Sequence, residues 1–450
     1  MLGVRRLKEV PRQGWLLRHK DGRLTGICGK RVVGGRDWLY EGGWAETDTP
    51  RSLSLSGVYL GSGAVWDGTR LSLIAPSHTA DAVYVMERPG ELLASNSLPF
   101  LVAAARISDF PILDAREPMR SLKGGIDSHV RLIHSGPSGN FYRFFNAIVT
   151  YDSSNGLKEE QQSADLNIES YEDYRAYLLS VIRQAARTYG STGTAVFVSR
   201  GYDSVACAAL AAEFDPECMA ICVDQSRAGA PDDGTEVAQA LGIQSVLLRR
   251  RKRPKVISEA EVQERIRPAD YERICEFYLG MGFFDECLKA PVRLLSGRMV
   301  LTGFHGDKIW DLKTEPSHDL VRGDASGASM GEYRIRVGFL HVPVPMLAFK
   351  AAPKLQEIAR SDAMRPWRLD NDYDRPIPRR VAEEAGVPRE LFGQTKQAAA
   401  MLPMNGQRVG PTLFAMQSAR YEPAVRAFDT PPLRRLVSTV ADRLRAPLQR

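Results

Sequence analysis

Two hydrophobic periods divide the chain. Up to residue 165, short apolar runs alternate with turn residues, as in half-buried strands. Val65-Trp66-Asp67-Gly68-Thr69-Arg70-Leu71 sets apolar residues on either side of an Asp-Gly turn, and Lys20-Asp21-Gly22 has the same character. Ala82-Val83-Tyr84-Val85-Met86 and Glu91-Leu92-Leu93-Ala94-Ser95 flank Arg88-Pro89-Gly90 and predict strand, turn and strand, with a short helix over 98–105. Asp152-Ser153-Ser154-Asn155-Gly156, with the polar residues through Asp165, predicts an interdomain linker.

From residue 166 the period lengthens. Ser170 and Asp173 form a capping-box-like start, and Tyr174, Tyr177, Leu178, Val181, Ile182 and Ala185 then mark one helical face. Strands at 195–199, 219–224 and 244–249 alternate with helices at 204–214 and 234–241. That alternation predicts a parallel sheet covered on both faces, with ligands beyond the carboxyl ends of its strands. The expected fold is α/β: a β-rich domain over 1–165, then a parallel-sheet domain over 166–450.

The chemistry gathers at predicted strand ends. Ala195 to Val198 runs into Ser199-Arg200-Gly201-Tyr202-Asp203-Ser204, and an Ala-rich helix follows at once. Backbone N–H groups, two serine hydroxyls and a helix N-terminus there suit a phosphate, and Asp203 suits a divalent cation. There is no Gly-Lys-Ser/Thr, so this is not a Walker loop. Downstream, Met299-Val300-Leu301 leads into Thr302-Gly303-Phe304-His305-Gly306-Asp307, a second glycine-rich turn with a carboxylate. If the two strands are neighbours, Asp203 and Asp307 share one cation; magnesium suits such a site, since it takes one or two carboxylates plus phosphate oxygens. Asp224 follows the second strand, placed either for adenine or ribose or as a helix cap. Asp232, Asp233 and Glu236 read as caps and first-turn charges of the next helix, while Trp310, Trp367 and Tyr373 read as core or as pocket wall.

Composition narrows the class. A chain of 450 residues can bury two or three cores. No apolar run approaches the ~18 residues of a membrane span, and no apolar stretch follows the basic residues near Met1 as in a secretory leader. The 6 cysteines are scattered without paired ligand spacing, which predicts reduced thiols and a cytoplasmic location. The net charge of +6 gathers in Arg249-Arg250-Arg251-Lys252-Arg253-Pro254-Lys255. With no aromatics interleaved, that run disfavours nucleic acid; a solvated loop or an acidic small substrate accounts for it. A homodimer is left open.

The two turns, in this order, resemble the synthetase domain of the asparagine synthetase and β-lactam synthetase family. The first is similar to its pyrophosphate-binding SGGxDS loop, keeping Ser199, Gly201, Asp203 and Ser204, with Arg200 replacing a glycine. The second is similar to LTGEGGDE, reading LTGFHGDK with Leu301, Thr302, Gly303, Gly306 and Asp307 kept, while Phe304, His305 and Lys308 depart from it. The resemblance implies ATP with magnesium on Asp203 and Asp307, and nucleotide contacts from Ser199, Arg200, Gly201, Tyr202, Asp203, Ser204, Asp224 and Gly303. It also implies a lysine facing the phosphates, for which Lys396, after Gln394-Thr395, is the positional match. His305, Glu332 and Tyr333 are the candidate bases. More weakly, residues 80–105 resemble the end of the family's glutaminase domain, which needs cysteine as its mature first residue; here Met1 precedes Leu2, and Cys28 comes first among the cysteines. The expected N-terminal domain is therefore a glutaminase-like sandwich without glutaminase activity.

The reaction so implied is adenylation of a carboxylate or amide oxygen with loss of pyrophosphate, followed by amide or lactam formation with an amine. The partner is a small molecule or peptide carrying both groups. Two other readings stay open: a related loop enzyme of different chemistry, such as sulfur insertion, and a nucleotide-binding scaffold that has lost catalysis.

Overall fold

The period-2 segments of the first half pair into two large sheets. In the computed structural model, described for residues 2–163, 166–224, 231–249, 289–394 and 410–430, the first sheet has seven strands. Their order is Gly3–Arg6, Arg23–Cys28, Trp15–Lys20, Glu91–Ser95, Val83–Arg88, Gly139–Phe144 and Leu132–Gly136. All pairings are antiparallel except that of the first edge strand. The second sheet has six strands, ordered Gly156–Gln161, Ala147–Asp152, Leu71–Ile74, Ser62–Trp66, Trp38–Glu41 and Val33–Gly34.

Side-chain alternation explains their stacking. Trp15, Leu17, Val83, Val85, Leu92 and Ala94 point from the first sheet into a core shared with Leu39, Ala64, Leu73 and Val149 of the second. Leu16, Tyr84, Met86 and Leu93 point the other way, onto the Leu98–Ala105 helix and toward the second half of the chain. The three predicted hairpin turns form. The predicted linker does not: Asp152 to Gly156 is the turn of a further hairpin, and Gly156–Gln161 is an edge strand.

The second half builds a wholly parallel five-stranded sheet, ordered Gln244–Leu248, Met219–Val223, Thr194–Val198, Met299–Thr302 and Leu340–Pro343. Val196, Val198 and Leu301 face one core, with the Tyr171–Tyr189 and Tyr202–Phe214 helices; Ala195, Phe197 and Val300 face the other. The Ser170–Asp173 capping box is present. The helix after the first turn starts at Tyr202, earlier than expected, so Asp203 and Ser204 lie in its first turn. No helix among the described residues is long and apolar enough to cross a membrane.

Candidate functional site

Strand register brings the two glycine-bearing turns together. Thr194–Val198 and Met299–Thr302 are neighbours, with Ala195 opposite Val300 and Val196 opposite Leu301. Both therefore release the chain at the same edge of the sheet. Asp203 then fills the space that side chains at 303 and 306 would need. A Cβ on Gly303 would lie 2.6 Å from Asp203 Cβ, and one on Gly306 would lie 2.3 Å from Asp203 Cγ. The second turn is glycine-rich because the first turn's carboxylate is packed against it.

Within the first turn, Ser199 and Ser204 serve each other. Their hydroxyls are 2.9 Å apart, the Ser199 amide donates to Ser204 Oγ at 3.1 Å, and the Gly201 amide donates to Ser199 Oγ at 3.2 Å. Gly201 is the N-cap and offers no side chain, so the helix entrance is lined by backbone and hydroxyls. Tyr202 is fully buried: its ring lies 4.8 Å from that of Tyr373, and its hydroxyl accepts from Arg379. It anchors the helix, and its side chain is not available to a nucleotide. Arg200 leaves the turn for the next helix, donating to Glu236 Oε2 at 2.6 Å and to the Asp233 carbonyl at 3.3 Å, while its amide donates to Asp232. Of the two placements open to Arg200, gripping phosphate or pointing away as a solvated loop residue, its side chain takes the second.

Arg375, which the sequence reading passed over, holds the carboxylate. Its Nη1 donates to both oxygens of Asp203 at 2.5 Å, and its Nε lies 3.4 Å from Asp311 Oδ2. Pro376 follows as the first residue of the Pro376–Glu384 helix, and a residue before proline is confined to extended backbone. Arg375 accordingly has φ −135°, which fixes the direction from which its side chain approaches. Burial works to lower its pKa, but Asp203, Tyr373 and Asp307 outweigh that and raise it. Arg375 is thus paired with Asp203 and Asp311 and lies within the electrostatic reach of Asp307. Asp307 Oδ2 is also 3.6 Å from Lys308 Nζ, an unexpected use of the lysine that departs from the second motif.

His305 does not face the cleft. It adopts φ 61°, is 5 % exposed, and accepts from Arg322 Nε at 3.0 Å. The same nitrogen, Nε2, lies 3.0 Å from the Ser326 carbonyl, so both of its contacts tie the ring to the 322–326 segment. Burial, and then the charge of Arg322, pushes its pKa down to about 4. Glu332 accepts from the Tyr421 hydroxyl, and Tyr333 is buried with its hydroxyl on the Ala290 carbonyl at 2.6 Å, so neither base candidate stands at the two turns. Asp224 closes the second strand, its amide donating to Leu248 O at 3.2 Å. Asp233 Oδ1 accepts from the Thr235 amide at 2.9 Å, but the N-cap of that helix is Gly234, not an aspartate. Trp310 is core, donating to Tyr174 Oη at 2.9 Å; Trp367 stacks on Arg380; Tyr373 comes within 3.8 Å of the Cβ position of Gly201 and is the aromatic at the turn. Lys396 and residues 250–255 of the basic run lie outside the described residues. Cys28 is buried, and burial raises its thiol pKa, which removes it from nucleophilic chemistry as placed.

Among the described residues, no group of three or more His, Cys, Asp and Glu side chains could hold a metal. Two carboxylates at adjacent strand ends are nonetheless hard oxygen donors of the kind magnesium accepts beside phosphate. In donor type the pair fits, with Arg375 as the competing cation.

No family model matches the chain, and no curated protein matches it. Among solved structures, a glutamine phosphoribosylpyrophosphate amidotransferase from B. subtilis, complexed with ADP and GMP, aligns over 65% of this chain and 69% of its own. Identity is 10% and the TM-score 0.18, a likeness that carries no argument about this site.

Proposed function

We propose that the protein is an ATP-dependent ligase that adenylates a carboxylate or amide oxygen, releases pyrophosphate, and joins the activated group to an amine as an amide or lactam. The observation that carries this reading is the packing of Asp203 into the glycine gaps of the second turn, which sets two carboxylate-bearing strand ends side by side. In this reading Ser199, Ser204 and the amides at the start of the Tyr202–Phe214 helix bind the pyrophosphate end of ATP, the helix adding its positive end. Asp203 and Asp307 would hold magnesium, which when bound supplies positive charge against the phosphates. Tyr373 walls the turn and limits access to it. Arg375 keeps the three carboxylates Asp203, Asp307 and Asp311 from repelling one another. The chain's own work is positioning and charge stabilisation, which such a reaction chiefly demands. Cytoplasmic location and a role for Lys396 belong to this same proposal.

The test is product analysis. Full-length protein incubated with ATP, magnesium and pools of acids and amines should release pyrophosphate and AMP together, and only when both pools are present. ATP binding without release would favour the scaffold reading, and transfer of sulfur would favour the related loop chemistry.

A further inference from the structure

The least expected group at the two turns is Arg375. Its side chain is 2 % exposed, with Nη1 on both oxygens of Asp203 and Nε on Asp311 Oδ2. Among the described residues, its Nη2 donates to none. Three carboxylates from separate segments surround it: Asp203 in the first turn of its helix, Asp307 in the Gly306–Ile309 helix, and Asp311 beyond that. One further cation, Lys308, sits at Asp307. A polyphosphate approaching such a cluster meets net negative charge unless a cation is redirected toward it. A guanidinium pairs with phosphate oxygens as readily as with carboxylate, and a half-used one at the turn needs only to exchange partners.

We propose that Arg375 is a phosphate-binding residue of this site that rests on Asp203 and exchanges that carboxylate for polyphosphate oxygens, handing Asp203 to a divalent cation. The proposal deepens the reading of the Ser199–Ser204 turn as a polyphosphate site and rests on it. It differs from a plain structural ion pair in one sign. If Asp203 and phosphate compete for Arg375, removing the carboxylate's charge strengthens metal-free polyphosphate binding, although the same change weakens any metal-dependent turnover.

Tripolyphosphate titrated calorimetrically into full-length protein, in buffer stripped of divalent cations, reads this directly. Asp203→Asn should bind tripolyphosphate roughly tenfold more tightly than wild type, the gain expected when one close charge competitor is removed. In an Arg375→Gln background the same Asp203 change should gain less than about twofold, because the group it frees is gone. An equal gain in both backgrounds would mean that Asp203 acts only through general repulsion, and the proposal falls. No gain, or no binding by any variant, overturns it as well. Melting curves accompany each protein; should Arg375→Gln not fold, Arg375→Lys keeps the charge, and the Asp203 gain should persist there in reduced form, its absence again counting against the proposal. Pyrophosphate release is scored separately. A cycle that behaves as expected in a protein that never releases pyrophosphate defeats the ligase reading and leaves Arg375 assigned; release with a failed cycle does the reverse.

Discussion

Asp203 does two jobs that its neighbours make distinguishable. Its backbone and Cβ fill the gap at Gly303, while its carboxylate meets Arg375. Asp203→Asn keeps the shape and loses the charge, so it should cut magnesium-dependent pyrophosphate release by about a hundredfold, the usual loss of one electrostatic contact worth ~3 kcal/mol. Ser199→Ala should lose a similar order while removing a hydroxyl bonded only within the turn. A continuous pyrophosphate assay checks both, and full activity in both would make the turn structural only. His305 separates the same way. With its pKa near 4, the ring is neutral across the range where most enzymes are assayed, so it carries no ionisation there. The pH–rate profile of His305→Gln should keep the wild-type shape between pH 6 and 8, whereas a free turn histidine, titrating at about 6.5, would remove a limb. Burying the neutral ring also makes folding weaken as pH falls from the unfolded value toward the folded one, because the unfolded chain takes up the proton first.

Which elements the sequence makes legible depends on whether they carry a hydrophobic face. The Val83–Arg88 and Glu91–Ser95 strands and the capped Tyr171–Tyr189 helix announce themselves because their apolar residues recur at the period of the element. Gly156–Gln161 does not: none of its residues is buried, it pairs on one side only, and a polar edge strand looks like a linker in one dimension. The two turns were legible as chemistry because they end apolar strands, whereas Arg375 and the anchoring of Tyr202 by Arg379 depend on contacts across more than a hundred and seventy residues, 172 and 177 in the two cases. Lone arginines of this kind have no local signature. The glycines of the second turn, in contrast, can be ranked by what a methyl group would strike. At Gly306 it meets the Asp203 carboxylate, which can rotate; at Gly303 it meets Asp203 backbone carbon at 2.7 Å, which cannot. Gly306→Ala should therefore lose pyrophosphate release about as severely as Asp203→Asn with a melting shift of only a few degrees, while Gly303→Ala should cost ~1–3 kcal/mol of stability as well. Activity and thermal melting measured on the two variants decide it; equal melting losses would refute the ranking.

At the scale of the whole molecule, the N-terminal sheets are tied to the parallel-sheet half by charge as well as by apolar contact. Arg334, in the Gly331–Val337 helix beside the parallel sheet, donates to Glu41 Oε2 at 2.7 Å and Oε1 at 2.9 Å and pairs with Asp81 at 3.1 Å. All three side chains are at most 5 % exposed. Glu41 is further satisfied by Ser62 at 3.0 Å and Asn96 at 3.2 Å, and Ser62 also accepts from Trp15 Nε1. Two buried carboxylates left without their cation are costly, far more so than the intact cluster is stabilising. Arg334→Met should thus destabilise the protein by ~3–5 kcal/mol, the range for breaking a buried pair by removing one partner. Adding Glu41→Gln to that variant should restore part of the loss, since one orphaned charge is then gone and its hydrogen-bonding atoms largely remain. Because the arginine and the carboxylates come from different halves, the loss should appear in both. Urea unfolding followed by hydrogen exchange of the Trp15–Lys20 and Glu91–Ser95 strands, and of the Thr194–Val198 and Met299–Thr302 strands, should shift together. A shift confined to the N-terminal sheets would show that the cluster secures only its own neighbourhood, and that the parallel sheet holds its two turns in register without help from the other half.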